Sequence, residues 1–300
     1  MFKPLTSACP ACGNKEITAW RNKVRLDQQF SIWRCAICKT AFLNPQPTKD
    51  FLNSIYQFSG LGLSQPISFN EVIATESEYP NATVDAKRLV IQAKRYMPNH
   101  IGLKALDIGS GYGFFSRAAL QAGFTVTAIN PGIWENAVFE EMNGLTPISA
   151  RFEDVDFAER FDLVILSQVL EHVENPFDFL LKIRAIMATS GVLAIAVPNV
   201  DSILVKVLGT RDNSCLWVPE HLTFFSTTGL MKILQRSGFL ITRHEYISRI
   251  PYYALSNRLK LTGAFRRLVN YVTRFSQRLP LKLVDLVGVG FYHNVWAEPC

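Results

Sequence analysis

Three hundred residues, 48% of them apolar, are enough for one catalytic-sized domain with a sizeable core plus a small appendage. The formal net charge is +6, without a low-complexity tract or an internal repeat. No apolar run reaches the roughly eighteen residues of a membrane span, and the lack of a secretory leader together with unpaired cysteines predicts a cytoplasmic protein.

The chain opens with two C-x-x-C knuckles, Cys9-Pro10-Ala11-Cys12 and Cys35-Ala36-Ile37-Cys38. Each knuckle curls two sulfurs toward one point, so Cys9, Cys12, Cys35 and Cys38 are expected to close a structural Zn²⁺ site in a ribbon over residues 1–45. The distance between the pairs slightly exceeds the usual ribbon spacing and requires a longer hairpin. Disulfides are the alternative, disfavoured without a secretory leader. A redox role needs C-x-x-C at a helix start in a thioredoxin-like unit, which the pattern does not offer. Cys215 and Cys300 lack partner spacing and read as ordinary thiols. Residues 1–40 are only moderately basic, short of a phosphate-binding stripe, so nucleic acid is not the expected partner. The ribbon then reads as a structural cap or a substrate-side module, since so short a segment folds around a metal staple.

Residues 46–100 read as a linker and lid helices. Thr48 is a plausible N-cap for a short helix over 50–58. The stretch 60–80, rich in Ser, Gly and Pro, reads as a loop. Ala86, Leu89, Val90, Ala93 and Met97 then recur at helical spacing, with Lys87, Arg88, Lys94 and Arg95 among them. Those charges suit the solvated face of a packing helix.

Residues 103–120 carry the strongest signal. An apolar strand (Leu103 to Ile108) runs into Gly109-Ser110-Gly111-Tyr112-Gly113 and then into an amphipathic helix. Strand, glycine turn and helix open a nucleotide-binding α/β unit, because the glycines let the backbone turn tightly and let a ligand approach it. Asp107, two residues before the first glycine, would repel a pyrophosphate but suits an ammonium group. Strands follow at 125–130, near 146–150 and at 161–168, where Phe161 to Gln168 reads as fully buried. A helix is predicted over 177–187, a strand over 192–197, and a helix over 228–237 that stops at Gly238.

"LDIGSGYG" followed by "FDLV…LEHV…P" resembles the class I S-adenosylmethionine-dependent methyltransferases. Pro219-Glu220-His221 with Phe225-Ser226 is similar to a third motif of that family, and Ala41 to Thr48 is similar to the linker of a subgroup with an N-terminal zinc ribbon. The resemblance implies a doubly wound, seven-stranded Rossmann-like sheet over 101–300. It places S-adenosylmethionine across Asp107, Gly109, Ser110, Gly111, Tyr112, Gly113, Asn130, Phe152, Glu153, Asp154 and Gln168. Asn130 stands where family members carry an acid for the ribose hydroxyls. Phe152 is expected to pack on the adenine, with Glu153 or Asp154 accepting from its amino group. In the family, the helix near 84–97 and the loop before it cover the cofactor.

Methyl transfer to an oxygen, nitrogen or activated carbon requires alignment and removal of a proton. Histidine has the appropriate basicity. His172 and His221 fall on the sheet edge where open α/β folds place their sites, so they are the candidate bases, with Glu171 as orienting partner. A structural role in shaping the loops is the competing reading for both. His244 and His293 fall on predicted strands, and His100 in a loop. The subgroup resemblance implies a small-molecule acceptor, a sugar or nucleotide-sugar ahead of a quinone or phenol. A different class also remains: a non-catalytic RNA- or membrane-binding module with a vestigial cofactor pocket.

Between strands at 240–248 and 291–298 lies a helical insertion, about 250–288, in which Leu, Val and Phe alternate with Arg and Lys. Such a segment can lie on an anionic membrane, cap a substrate or form a dimer contact, and contact through 258–288 is expected to be peripheral. The oligomeric state is not legible.

Overall fold

The computed structural model describes residues 2–55, 59, 65–78, 80–97, 102–209, 215–249, 256, 259–276 and 278–300. Three antiparallel strands come first: β1 (Ile17–Arg25), β2 (Gln28–Cys35) and β3 (Ala41–Leu43). Helices α1 (Lys49–Ile55), α2 (Phe69–Glu78) and α3 (Asn81–Lys94) follow. Then come β4 (Lys104–Ile108), α4 (Phe114–Gln121), β5 (Thr125–Ile129), α5 (Ile133–Asn143), β6 (Phe161–Ser167), α6 (Pro176–Ile186) and β7 (Met187–Pro198). The chain closes with α7 (Ile203–Leu208), β8 (Thr223–Phe224), α8 (Thr227–Arg236), β9 (Phe239–Ile247), α9 (Gly263–Ser276), α10 (Arg278–Leu286) and β10 (Tyr292–Pro299).

The main sheet has six strands in the order β5-β4-β6-β7-β10-β9. The first four are mutually parallel, while β10 runs antiparallel to both β7 and β9. This corrects the expected seven strands. The segment near 146–150 makes only one bridge, Ile148 to Ile129, because Pro147 has no N–H for a ladder. What remains is a pair of hydrogen bonds, Ile148 N–H to the Ala128 carbonyl (2.8 Å) and Asn130 N–H to the Ile148 carbonyl (3.0 Å).

Helices cover both faces of the sheet, as alternate side chains along its strands dictate. Leu163, Ile165, Val192 and Ala194 face a core closed by α3 and α4. Val164, Leu166, Leu193 and Ile195 face a core closed by α6 and α8. Trp296 on β10 is fully buried, and its indole N–H donates to the Leu89 carbonyl at 2.9 Å, pinning α3 to the sheet. Helix α3 is thus a packing helix, with Ala86, Leu89, Val90 and Ala93 inward.

Part of the stretch read as a loop is helix α2. Ser68 and Glu71 form a reciprocal capping box, Ser68 N–H to Glu71 Oε2 at 2.9 Å and Glu71 N–H to Ser68 Oγ at 3.3 Å. His100 and Arg258 lie outside the described residues.

The N-terminal strands do not stand apart. Strand β3 pairs with β8 (Ala41 with Phe224, Phe42 with Thr223), making a second sheet ordered β1-β2-β3-β8. Phe30, Ile32 and Leu43 share a third core with Cys215, Leu216, Val218 and Leu222.

Candidate functional site

The carboxyl ends of β4, β5, β6 and β7 meet along one edge, where an open parallel sheet binds its ligand. All three glycines of the turn after β4 have positive φ, and their surroundings differ. A Cβ on Gly109 would lie 2.5 Å from Val169 Cγ2, and one on Gly113 would lie 2.2 Å from Asn143 Nδ2. A Cβ on Gly111 would meet nothing within 4 Å. The first and third glycines therefore admit protein neighbours, and the middle one borders open space. Beside it the Ser110 hydroxyl is buried without a hydrogen-bond partner among the described residues. A backbone turn, open space and an orphaned donor form a cradle suited to a nucleoside.

Asp107 is buried beneath this turn and accepts from the Ser116 hydroxyl at 2.7 Å. Burial raises its carboxyl to about 6 even though the Ser116 bonds oppose the rise. Burial, and then the Glu135 charge, raises Tyr112 to about 12. Asn130 is buried after β5, where its amide nitrogen donates to the Gly132 carbonyl at 3.2 Å and to Asn136 Oδ1 at 2.9 Å. Both donors serve the loop, so its carbonyl oxygen is the atom left for a ribose hydroxyl.

The remaining residues predicted for the cofactor are placed differently. Phe152 is buried, stacked on Phe157 at 6.0 Å and edge-on to Phe179 at 5.0 Å, so its ring belongs to the core. Glu153 and Asp154 are exposed, with Glu153 paired to Arg151 at 3.2 Å. Gln168 is left-handed (φ 57°), and both its backbone N–H and its side-chain amide donate to the Ala196 carbonyl. It anchors the end of β6 to β7.

Just beyond Gln168, a short 3-10 turn carries Glu171 and His172, and the loop before β8 brings His221 to them. The two imidazoles stand edge to face, with centroids 4.7 Å apart. His221 Nδ1 lies 2.9 Å from the Cys215 carbonyl. A carbonyl only accepts, so Nδ1 carries the hydrogen and Nε2 is left as the basic atom. Burial, and then His172, hold His221 well below its ordinary value; burial brings His172 to about 4. Both rings are neutral near pH 7. Glu171 is buried, neither carboxyl oxygen has a hydrogen-bond partner among the described residues, and burial raises it to about 8. Ligand atoms of Glu171, His172 and His221 lie within 4.8 Å of one another, close enough for a proton relay or a divalent cation.

The four N-terminal cysteines also converge, with all their sulfurs within 4.8 Å of one another. Cys9 Sγ lies 3.6 Å from Cys38 Sγ, and Cys12 Sγ lies 3.6 Å from Cys35 Sγ, without a disulfide. The two knuckles match: Gly13 N–H bonds the Cys9 carbonyl and Lys39 N–H the Cys35 carbonyl, each residue having positive φ. The hydrogen bond within the Cys9–Cys38 pair lowers Cys38 and raises Cys9. This donor set fits a tetrahedral Zn²⁺ site.

Sequence reading missed Ser116, Asn136, Arg25 and the Cys215 carbonyl. Arg25 has no local signal, since its role depends on a neighbour 195 positions away.

A family model described as "Methyltransferase domain" matches residues 82–244, more than half of the chain. The chain belongs to that family and is an S-adenosylmethionine-dependent methyltransferase. It is 28% identical over 183 residues to a ubiquinone biosynthesis O-methyltransferase of Rhodopseudomonas palustris (strain HaA2), over 57% of this chain and 70% of that one. A protein of the same description from Roseobacter denitrificans is 29% identical, over 57% of this chain and 72% of that one. The fold is similar to that of 1,6-didemethyltoxoflavin-N1-methyltransferase from Burkholderia thailandensis, solved with bound 1,6-didemethyltoxoflavin and S-adenosylhomocysteine. That likeness has a TM-score of 0.50 at 14% identity, covering 93% of this chain and 99% of that one.

Proposed function

We propose that the chain methylates a hydroxyl of a small molecule, with His221 Nε2 taking the hydroxyl proton. The observation that carries this reading is the Nδ1 bond to the Cys215 carbonyl, which holds a neutral imidazole in the accepting tautomer. When bound, S-adenosylmethionine supplies an electrophilic methyl group on a positively charged sulfur. Asp107, the turn Gly109-Ser110-Gly111-Tyr112-Gly113 and the Asn130 carbonyl oxygen are the residues that hold it. Phe152 and Gln168 support that pocket from behind, and Glu153 and Asp154 form its outer rim. His172 packs edge-on against the His221 ring, and the Glu171 carboxyl, within 4.8 Å of both imidazoles, is the group we assign to orient the pair once substrate is bound.

A phenol-type hydroxyl suits this base better than a sugar alcohol. Phenols lose a proton near pH 10, whereas alkyl hydroxyls lie closer to the ~15.7 of water. A histidine whose basicity is lowered by burial favours the more acidic acceptor. The names of the two curated relatives point the same way, so the quinone or phenol reading moves ahead of the sugar one. The four cysteines hold a structural Zn²⁺ in an N-terminal ribbon covering residues 1–45, ahead of the linker and the catalytic domain over 101–300. We place the protein in the cytoplasm.

Radiolabelled S-adenosylmethionine, incubated with catechols, hydroxyquinols and nucleotide-sugars, tests the acceptor. Label in the phenolic fraction supports the reading, and label confined to the sugars overturns it. A thermal shift with S-adenosylhomocysteine tests the pocket separately: ligand selective for the native state must raise Tm, and Gly111→Val should abolish the shift by filling the open space. No shift in the wild-type protein at millimolar ligand would return the chain to the vestigial-pocket class.

A further inference from the structure

Helices α9 and α10 form the insertion between β9 and β10, and they leave apolar side chains in water. Phe265, Leu268 and Val272 recur at i, i+3 and i+7 along α9 and are 61%, 57% and 55% exposed. On α10, Leu283 and Leu286 are exposed as well, Leu286 at 81%, and Val287 follows just after it. A helix this amphipathic normally buries its apolar stripe. Here the charged side of α9 carries Arg266 and Arg267, both exposed.

The charge pattern is one-sided. Between positions 250 and 288 the sequence holds seven Lys and Arg residues and one acid, Asp285, against a net charge of +6 for the whole chain. The rest of the chain is therefore net neutral, and the entire positive surplus resides in this insertion. Its position adds a third observation. Because β10 is antiparallel to both β7 and β9, Tyr292 pairs with Pro198 on one side and Ile247 on the other. The insertion thus leaves the sheet at the same edge as the ends of β4, β6 and β7, where the glycine turn and the His172 loop lie.

We propose that α9 and α10 dock the protein on an anionic lipid surface, with the active-site edge turned toward the bilayer. An apolar stripe flanked by arginines matches the acyl boundary and the headgroups at once. A second copy fits less well, because an isologous contact would set two net-positive surfaces against each other, and their one acid, Asp285, is already engaged by Ser248. Nucleic acid would use the arginines but leave Phe265, Leu268 and Leu286 in water. The proposal is independent of the acceptor's identity, although a lipid-dissolved phenol would reach the site by this route.

Sedimentation of the full-length protein with two kinds of vesicle tests it: pure phosphatidylcholine, and phosphatidylcholine mixed with phosphatidylglycerol. The protein should pellet with the mixed vesicles at low salt, stay in solution with the neutral ones, and release as salt rises. Each exposed arginine removed should weaken partitioning about fivefold, the equivalent of about 1 kcal/mol per basic residue. Arg266→Gln with Arg267→Gln, and separately Phe265→Ser with Leu268→Ser, should each lower the bound fraction. Both variants must keep the S-adenosylhomocysteine thermal shift, which separates loss of docking from loss of fold. Wild-type protein that ignores anionic vesicles overturns the proposal, as does pelleting unchanged in both variants. A concentration-dependent doubling of mass in solution that Phe265→Ser removes would overturn it in favour of a second copy. Salt-sensitive retention on RNA that outcompetes the vesicles would reassign the surface to nucleic acid.

Discussion

Arg25, at the end of β1 in the N-terminal hairpin, bonds Glu220, the residue before His221, at 2.6 Å. The same guanidinium donates to the Val218 carbonyl and lies over the Trp217 ring at 4.0 Å. Two positions earlier on β1, Lys23 donates to the Leu216 carbonyl. The N-terminal hairpin thereby grips the loop that presents the candidate base. At the other end of that loop, β3 pairs with β8, and the Leu43 N–H reaches the Leu222 carbonyl at 2.9 Å. Arg25 and Glu220 stand 195 positions apart in sequence, yet their contact ties the N-terminal hairpin to the loop that carries His221.

Loosening that grip should act on turnover more than on cofactor binding. Arg25→Ala should cost about 1 kcal/mol of stability, the upper end for an ion pair that solvent still reaches. Turnover should fall about tenfold to a hundredfold as His221 loses its position. The Kd for S-adenosylhomocysteine, measured by calorimetry, should not change. Equal losses in both would place Arg25 in the cofactor pocket instead.

Metal removal should reproduce the same split in stronger form. Wild-type protein should carry about one equivalent of zinc, lost in Cys35→Ser with Cys38→Ser. That variant should melt earlier, because Cys9 and Cys38 are buried in the core shared by α6 and α8. Metal analysis and calorimetry on the same sample decide this, and folded wild-type protein free of metal would refute the site.

Placing at position 130 the acid that the family resemblance implies should not help. Asn130→Asp replaces a donor to Gly132 and Asn136 with a carboxylate facing two acceptor oxygens. Losing two buried hydrogen bonds costs about 1–3 kcal/mol, and the Kd for S-adenosylhomocysteine should rise. Tighter binding would show that the ribose, not the loop, dictates this residue.

The glycine turn was legible because its chemistry is local: three glycines within five residues after an apolar strand. The cysteine knuckles were legible for the same reason. Segment 146–150 was not, since one proline decides whether it joins the sheet. Helix α2 carries a legible capping box at Ser68 and Glu71, hidden among the Gly and Ser residues that precede it. Phe152 shows another limit. An aromatic expected to pack on adenine is indistinguishable, in sequence, from one that fills a core with Phe157 and Phe179. The Arg25–Glu220 pair depends on tertiary contact alone.

Asp107 should make cofactor binding depend on acidity. A carboxyl raised to about 6 is partly protonated just below neutrality, whereas an ammonium-bearing ligand favours its ionised form. Affinity for S-adenosylhomocysteine should therefore fall as pH drops through about 6, with proton release on binding in that range. Asp107→Asn should bind weakly and without this dependence. A wild-type Kd that is flat from pH 5 to 8 would remove Asp107 from ammonium recognition.

Glu171 should leave its mark on stability. Its folded-state value of about 8 lies above the ordinary 4.5, so between those limits the native protein holds a proton that the unfolded chain has lost. The native state binds more protons there, and stability must fall as pH rises. From pH 4.5 to pH 7 this one group accounts for a loss on the order of 3 kcal/mol. Glu171→Gln keeps the shape and the buried, unpartnered side chain but cannot ionise. Wild type and variant should thus converge near pH 4.5 and diverge toward pH 8, the variant becoming the more stable. Parallel denaturation curves across that range would show that the carboxyl is already ionised in the fold. Repeating the series with a chelator identifies the cause: if divergence then appears, a cation held by Glu171, His172 and His221 had kept the carboxylate charged.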